Sequence, residues 1–382
     1  MDLTPSDMQA AAIRAIVDWY FDDRPDCPQE FYLAGYAGVG KSTVAEMAVQ
    51  AIRDRRRGRL EVEVGAYTGK AANVLRKKGN PTAKTIHAMI YAPIEKDGKT
   101  IFVLALETAP AAFADLILLD EVSMVDEKMA NDVRAFGKKI LVMGDPAQLP
   151  PVGGAGAFLT RDPDFFLSEI HRQAEGSPII RLATMLRQGE MPDLGDYGDG
   201  VMFARLNGDN AQLAYREDTQ TIVALNRVRQ TINKQVRRLR GYEGTVPLAG
   251  ERVICCRNDR DLAIFNGALG DLTTDSRRLL DGSNYRISVQ MEDLRIPLKS
   301  IPCSTALFDQ HFDDTVAKPE HLSKGVQMFD FGYTLTAHKA QGSEWPDITI
   351  IDDAGAFRAD QWKWRYTAIT RASERVAFLR RR

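Results

Sequence analysis

The sequence has few of the residues that build metal sites or disulfide frameworks. It contains four cysteines and five histidines in 382 residues, no two cysteines are spaced as C-x-x-C, and the histidines are scattered. Structural zinc sites and disulfide-rich folds use closely spaced cysteines, so we expect neither here. This cysteine usage suits a reducing compartment.

Long apolar runs are missing as well. No stretch of 18 apolar residues occurs, and the first residues lack the charged and apolar regions of a secretion signal. We therefore expect a cytoplasmic protein with no membrane partner. The chain also shows no low-complexity tract and no internal repeat. Its length leaves room for two or three globular domains.

Neither sign of charge dominates. Lys and Arg number 50 against 52 Asp and Glu, which gives a net charge of −2. The net charge therefore gives no indication of a nucleic-acid partner. Basic runs occur at 53–59, 76–78 and 237–240, but each run taken alone is most simply the solvated face of a helix.

The clearest motif present is a phosphate-binding loop. An apolar run at 31–34 leads into Gly35, and Gly40-Lys41-Ser42 follows after four intervening residues, before a helical pattern. This is G-x-x-x-x-G-K-S between a strand and a helix. Its glycines let backbone N–H groups surround a phosphate, and the helix dipole favours the phosphate charge. Lys41 would reach the β- and γ-phosphates of a nucleotide, and Ser42 would hold Mg²⁺.

An acidic pair follows a second apolar strand. The run Leu116–Leu119 is typical of a central parallel strand, and Asp120 and Glu121 come at its carboxyl end. Ligands of α/β proteins bind at this end of the strands. Asp120 would hold Mg²⁺ through water, and Glu121 would orient or deprotonate the attacking water.

A third strand, at 140–144, is followed by Asp145, Gln148 and two prolines. Gln148 could bind the γ-phosphate or the attacking water. The alternative is a rigid turn, because Pro150 and Pro151 cannot extend a strand. A polar loop, TAHKAQGSEW at 336–345, directly precedes another apolar run at 346–352. A polar loop in that position belongs at a ligand and not in a core.

In their order, these motifs resemble those of a known family. The segments GYAGVGKST, AYTGKAANVLRKKG, KTIHAMIY, LLDEVSMVD, MGDPAQLPPVGG, EIHRQ, YTLTAHKAQGSEW and YTAITRA run from the first quarter of the chain to Arg371. Together they are similar to the motifs of superfamily 1 helicases, and closest to the RecD-like and Dda-like branch. The resemblance implies two RecA-like α/β domains with ATP between them. It also implies Mg²⁺ as the cofactor and 5′-to-3′ movement of a monomer on single-stranded DNA and at single/double-strand junctions.

The resemblance also implies a role for each matched residue. Arg172 and Arg371 would stabilise charge on the transferring phosphoryl group, and Gln9 would contact adenine. The remaining nucleotide contacts would be Gly38, Gly40, Thr43, Gly342 and Glu344. Contacts to the DNA backbone would come from Thr68, Lys70, Thr85, His87, Thr336, His338 and Lys339. Of these, Lys339 could serve either the DNA or the nucleotide.

Two insertions are predicted. The segment 91–113 contains a hairpin with an Asp97-Gly98 turn, which matches the family's strand-separating pin. Phe102 is the candidate wedge of this pin. A role in packing is an equally weighted alternative for Phe102. The segment 265–325 would form an SH3-like β-barrel. The first RecA-like domain would then comprise 1–90 and 114–166, and the second 167–264 and 326–382. The stretch 309–325 has no assignment, and His311 and His321 are expected on the surface.

Three other functions remain open at this stage. An RNA helicase or remodeller would carry the same backbone contacts, because such contacts distinguish DNA from RNA only through a 2′-hydroxyl. A P-loop kinase or nucleotide-driven switch would leave the motifs after residue 140 without a role. A nuclease subunit would need a further carboxylate cluster for two metals, and the sequence shows none.

Overall fold

Two units, Met1–Arg181 and Leu182–Arg382, each built on its own parallel sheet, make up the chain. The structure is a computed structural model. It describes residues 4–96, 99–150, 156–169, 176–259, 261–280, 282, 284–318, 322–323 and 325–381. The two α/β units with parallel sheets confirm the predicted fold class.

The first unit holds a six-stranded parallel sheet and a separate hairpin. Its strands are β1 (Glu30–Gly35), β2 (Val62–Ala66), β3 (Lys84–Thr85), β4 (Tyr91–Lys96), β5 (Lys99–Leu104), β6 (Leu116–Asp120), β7 (Lys139–Gly144) and β8 (Phe165–Leu167). The order in the sheet is β3-β2-β6-β7-β1-β8, while β4 and β5 pair only with each other. The hairpin's predicted turn at Asp97-Gly98 lies outside the described residues.

Helices cover both faces of this sheet because its strands are apolar on both sides. They are α1 (Asp7–Tyr20), α2 (Lys41–Arg56), α3 (Gly69–Lys77), α4 (Ile86–Ile90) and α5 (Glu127–Arg134). A further helix, α6 (Pro178–Arg187), begins in this unit and ends in the next. Alternate residues of one strand enter opposite cores. Leu118 packs with the residues of α1 and α2, and Leu119 packs with those of α4 and α5. Such two-sided burial is typical of parallel strands.

The second unit contains two sheets. Its strands are β9 (Gly195–Asp196), β10 (Val201–Arg205), β11 (Gln220–Val223), β12 (Arg252–Cys255), β13 (Leu269–Leu272), β14 (Arg277–Arg278), β15 (Asn284–Met291), β16 (Leu298–Ser304), β17 (Phe329–Phe331), β18 (Thr334–Thr336), β19 (Trp345–Asp352) and β20 (Ala372–Arg380). The first sheet has the order β18-β11-β19-β20-β10-β9 and is parallel except at β9. Its helices are α7 (Asn226–Leu239), α8 (Ala306–Asp309), α9 (Ala337–Ala340) and α10 (Gln361–Ile369).

The second sheet is antiparallel and larger than the predicted insertion of 265–325. Its order is β14-β15-β13-β12-β17, with β16 on the other side of β15. The strands β12 and β17 were expected in the RecA-like domain, but β12 pairs with β13 and with β17. Both are short buried runs, and a short apolar run does not indicate to which sheet it belongs. The SH3-like character of this sheet stays a prediction.

The expectation that His311 lies on the surface is wrong. Its side chain is buried, and its Nε2 lies 2.7 Å from Oδ1 of Asp330. The same carboxylate accepts a hydrogen bond from Arg229 of α7 at 2.7 Å. A buried carboxylate needs such partners, and a single histidine in a polar stretch gives no indication of them. His321 lies outside the described residues. Among the described helices, none has the length and apolar character needed to cross a bilayer.

Candidate functional site

The phosphate-binding loop joins β1 to α2. Gly38 and Gly40 adopt left-handed backbone conformations, with φ of 82° and 81°, which glycine enters without strain. A Cβ on Gly40 would also lie 2.8 Å from Nε2 of Gln9. This Nε2 donates to the carbonyl oxygen of Val39 at 3.3 Å. The predicted adenine contact, Gln9, therefore lies against the phosphate loop.

Lys41 is folded over that loop. Its Nζ donates to the carbonyl oxygens of Gly35 at 2.7 Å and Tyr36 at 3.0 Å. The helix α2 has no side-chain cap and no acidic residue in its first turn. Its first N–H groups and the lysine therefore form an electropositive end suited to an anion.

Ser42 and Asp120 meet beside the loop. The Ser42 hydroxyl donates to Oδ2 of Asp120 at 3.4 Å, and the Glu121 N–H donates to Oδ1 at 2.8 Å. Desolvation of the carboxyl group and the neighbouring Glu121 raise the pKa of Asp120 to about 6, while Lys41 opposes the shift. A divalent cation held by the Ser42 hydroxyl and the Asp120 carboxyl group would favour the ionised form of that carboxyl group. The pair therefore fits Mg²⁺, with Glu121 adjacent in a left-handed conformation at φ 53°.

Gln148 lies in a turn after β7. Oδ1 of Asp145 accepts the N–H of Ala147 at 2.9 Å, and the Asp145 carbonyl accepts the N–H of Gln148 at 3.1 Å. The Gln148 side chain is buried, and its Oε1 accepts no hydrogen bond from the described part of the chain. Buried amide oxygens almost always have a partner. The two alternatives for this segment, a rigid turn and a ligand contact by Gln148, are thus compatible, because the turn holds the Gln148 amide in place.

Two predicted DNA contacts in the first unit are N-caps of helices. Oγ1 of Thr68 accepts the N–H of Ala71 at 3.1 Å at the start of α3, and Oγ1 of Thr85 accepts the N–H of Ala88 at 3.2 Å at the start of α4. Each hydroxyl keeps its own proton, which it can donate to a phosphate oxygen. Lys70 follows in the first turn of α3 and is half-buried.

His87 and Phe102 form one aromatic cluster. Their rings lie 4.6 Å apart in an edge-to-face arrangement, and the Tyr91 ring lies 4.7 Å from His87. The Tyr91 hydroxyl donates to Asp132 of α5. Phe102 pairs with Pro93 across the hairpin and remains 49% exposed. The ring therefore both packs on His87 and presents an open face, and its role as a wedge stays a prediction.

The loop at 336–345 repeats the same capping pattern. Oγ1 of Thr336 accepts the N–H of Lys339 at 3.4 Å at the start of α9. The His338 ring stacks on Phe357 at 5.8 Å with an interplanar angle of 27°. Nζ of Lys339 lies 3.7 Å from Sγ of Cys256. Sequence analysis missed Phe357, and no local pattern could have identified it, because it meets His338 only through the fold.

Arg371 lies against the end of that loop. Its Nη1 donates to the carbonyl of Ser343 at 3.4 Å, and its carbonyl accepts the N–H of Trp345 at 2.9 Å. The turn itself contains Gly342 at φ 71° and the exposed Glu344. Three residues predicted at the nucleotide are therefore neighbours within the second unit. Arg172 lies outside the described residues.

Comparisons with known proteins agree with this arrangement. Two protein-family models match the sequence: the AAA domain over residues 7–214 and the UvrD-like helicase C-terminal domain over residues 331–379. The ATP-dependent RecD2 DNA helicase of Deinococcus radiodurans is 30% identical over 373 residues, which cover 90% of this chain and 46% of that protein. The ATP-dependent DNA helicase dda of Enterobacteria phage T4 is 28% identical over 223 residues, covering 54% and 49%.

The chain thus spans about half the length of these curated relatives. Among solved structures, the Pif1 helicase from Bacteroides in complex with ADP-AlF3 and single-stranded DNA matches with a TM-score of 0.57 at 18% identity. The match covers 99% of this chain and 92% of that one. It shows a shared fold over nearly the whole chain.

Proposed function

The chain carries the AAA domain and belongs to the superfamily 1 helicases of the RecD2, Dda and Pif1 type, and we propose that it hydrolyses ATP to move along single-stranded DNA and separate duplex strands. Its named relatives RecD2 and dda are ATP-dependent DNA helicases. We further propose 5′-to-3′ movement and action as a monomer, on the resemblance of the motifs to the RecD-like and Dda-like branch.

One observation about the first sheet carries the proposal. The strands β6, β7 and β1 are neighbours, and their carboxyl ends lead to Asp120, Gln148 and the phosphate loop. The strands β3 and β2 continue the same edge, and their ends lead to Thr85 and Thr68. The residues proposed to bind ATP and the threonines proposed to donate hydrogen bonds to DNA phosphates thus lie at the ends of neighbouring strands. A motor needs this adjacency, whereas a simple kinase does not.

At the nucleotide, the loop backbone at Gly38 and Gly40 surrounds the phosphates, and Lys41 turns from the loop carbonyls to the β- and γ-phosphates. Ser42, with Thr43 beside it, and Asp120 would hold Mg²⁺, which when bound would supply positive charge next to the transferring phosphoryl group. Glu121 accepts a proton from the attacking water. The amide of Gln148 binds the γ-phosphate or that water, and Gln9 contacts adenine.

Two arginines matched by the resemblance would add positive charge at the transferring phosphoryl group. We assign Arg371 and Arg172 to the γ-phosphate, where a guanidinium typically adds about 10³–10⁵ in rate. Gly342 and Glu344 line the nucleotide beside Arg371.

The nucleic acid is bound through its backbone. The contacts are Thr68, Lys70, Thr85, His87, Thr336, His338 and Lys339. Backbone contacts fix the position of the strand without reading its sequence, as translocation over any sequence requires. Phe102, on the hairpin next to His87, meets the junction between single and double strand.

Unwinding of two matched substrates tests the proposal. One duplex carries a 5′ single-stranded tail and the other a 3′ tail, with the same base pairs. We expect ATP- and Mg²⁺-dependent separation of the 5′-tailed duplex only. Poly-dT should stimulate hydrolysis more than poly-U does. Separation of the 3′-tailed duplex would reverse the polarity, and stimulation by poly-U alone would identify an RNA motor.

A further inference from the structure

The helix α7 carries an unusual charge distribution. Its sequence, NRVRQTINKQVRRL, contains five basic residues and no acidic residue. A surface helix normally mixes both signs, because i,i+4 pairs of opposite charge stabilise it and pairs of like charge do not. The excess of one sign therefore requires an explanation beyond helix formation.

Two of the five basic residues have a structural role. Nη1 of Arg229 lies 2.7 Å from Asp330, and Nε of Arg237 lies 2.6 Å from Glu251. Both pairs are buried. A buried guanidinium needs a carboxylate partner, so these two arginines are accounted for by the packing of α7 on the antiparallel sheet.

The other three, Arg227, Lys234 and Arg238, face solvent. They stand seven and four residues apart, which places them on one side of the helix over about 16 Å. None of them forms an ion pair within the described ranges. Arg227 lies in the first turn, where the helix dipole disfavours a cation. We name Arg227, Lys234 and Arg238 the α7 stripe.

The stripe begins at the edge of the sheet that carries Thr336. Val223, the last residue of β11, pairs with Thr336 of β18, and α7 starts three residues later. Along its axis, the stripe leads away from the loop that contains Thr336 and Lys339. A positively charged surface that continues from the proposed DNA-contact loop at 336–339 is suited to the same phosphate backbone.

We propose that the α7 stripe binds the phosphates of single-stranded DNA where the strand extends beyond the loop 336–339; this rests on the proposed function. Three cations over about 16 Å match roughly four or five phosphates at the 3.4 Å spacing of one strand. The stripe adds affinity for long strands, without sequence preference, and helps to retain the strand between steps.

Equilibrium binding at several salt concentrations tests the stripe. The variant R227Q/K234Q/R238Q removes three positive charges from it and keeps residues of high helix propensity. The control R277Q/R295Q/K299Q removes three exposed charges elsewhere in the same unit. Wild type and both variants are titrated with oligo-dT of about 8 and about 20 nucleotides, lengths within and beyond typical single-strand sites.

We expect the stripe variant to lose tenfold or more in affinity for the longer oligomer. Its slope of log affinity against log salt should fall by about 2, since each phosphate contact contributes about 0.7. The control should match wild type. The charge-conserving variant R227K/K234R/R238K should retain the wild-type slope, and equal melting temperatures would show that all variants fold.

Three results would overturn the inference: an unchanged slope in the stripe variant, an equal loss in the control, or an equal loss with both oligomers. The third result would make α7 part of the short contact site. A wild-type chain that binds neither oligomer would instead overturn the proposed function, and with it this inference.

Discussion

At the scale of single residues, three threonines do two tasks. Thr85 and Thr336 end parallel strands and Thr68 follows one by two residues, and each accepts a backbone N–H at the start of the next helix. The cap holds the hydroxyl in place, and the remaining hydroxyl proton is available to a phosphate. A local folding signal therefore positions a ligand contact.

The two tasks can be separated at Thr336. Asp and Asn are both good N-caps, but only Asp adds a negative charge where a phosphate is expected. We expect Thr336→Asp to reduce affinity for oligo-dT tenfold or more at low salt, while Thr336→Asn stays within a few-fold of wild type. Binding titrations measure the affinities.

Thermal unfolding is the control for this pair. Both variants should keep the free energy of unfolding within about 0.5 kcal/mol of each other, because both preserve the cap. Equal affinities of the Asp and Asn variants would show that no phosphate approaches Thr336.

Lys41 provides the second test at this scale. Among the described residues its Nζ donates only to carbonyl oxygens of the loop, so its removal should leave the proposed DNA contacts intact. We expect Lys41→Ala to abolish ATP hydrolysis and to keep oligo-dT affinity within a few-fold. The exposed Lys128, on α5, gives the matched control, and Lys128→Ala should hydrolyse ATP normally. Strand-stimulated turnover in Lys41→Ala would remove the phosphate loop from the mechanism.

At the scale of elements, the β4–β5 hairpin connects two predicted contacts. Phe102 packs on His87, which follows the cap Thr85. An exposed ring can stack with a base, worth roughly 1–3 kcal/mol, which offsets the mean stacking loss of about 1.4 kcal/mol per base-pair step. We expect Phe102→Ala to keep strand-stimulated ATPase within a few-fold and to slow unwinding severely.

The variant Phe102→Leu separates stacking from packing. Leucine fills much of the space beside His87 but offers no aromatic face. Unwinding should therefore remain slow in Phe102→Leu, with normal affinity for single strands. Recovery of unwinding by leucine would assign Phe102 a packing role, as support for His87.

Elements with strong local signals were predicted best from sequence. The phosphate loop, β6 with Asp120, and β7 with its turn were each indicated by an apolar strand followed by polar residues. The strands β12 and β17 fall in ranges expected for the RecA-like domain but pair in the antiparallel sheet, because pairing partners of short strands depend on distant residues. The contacts of Phe102 with His87 and of Phe357 with His338 were out of reach for the same reason.

At the scale of the molecule, buried charge joins the two sheets of the second unit. Asp330 of β17 binds Arg229 of α7 and His311. Burial opposes ionisation of this carboxyl, but Arg229 and His311 hold the pKa of Asp330 well below its usual range. Replacing either Asp330 or Arg229 by a neutral residue would leave the other charge buried without its partner, which is strongly destabilising.

This pair predicts a pH dependence of stability. The pKa of Asp330 is lowered by folding, so its contribution is complete above the unfolded value of about 3.9 and is lost as pH falls further. As pH falls from about 4 to about 3, loss of this contribution should lower the free energy of unfolding by up to about 1.4 kcal/mol per pH unit. Denaturant unfolding of wild type and of Asp330→Asn at a series of pH values measures the contribution of Asp330 to this pH dependence. Parallel curves for the two proteins would contradict the assignment.

The family was predictable at this scale because the order of the motifs along the chain can be read directly from the sequence, whereas strand pairing cannot. The ion-pair partners of individual charged residues could not be predicted from the order of the motifs. His311 was expected at the surface, since a histidine in a polar stretch gives no sign of the carboxylate that it meets in the fold.

The register of β2 on β6 has a mechanical consequence. Ala66 pairs with Asp120, and Thr68 follows Ala66 by two residues. Adjacent strands lie about 4.8 Å apart, so the proposed metal ligand Asp120 and the proposed DNA contact Thr68 are held by one ladder of backbone hydrogen bonds. In the proposed motor, force from the reaction would reach Thr68 through this ladder, with no lever arm and no elastic loop between the two residues.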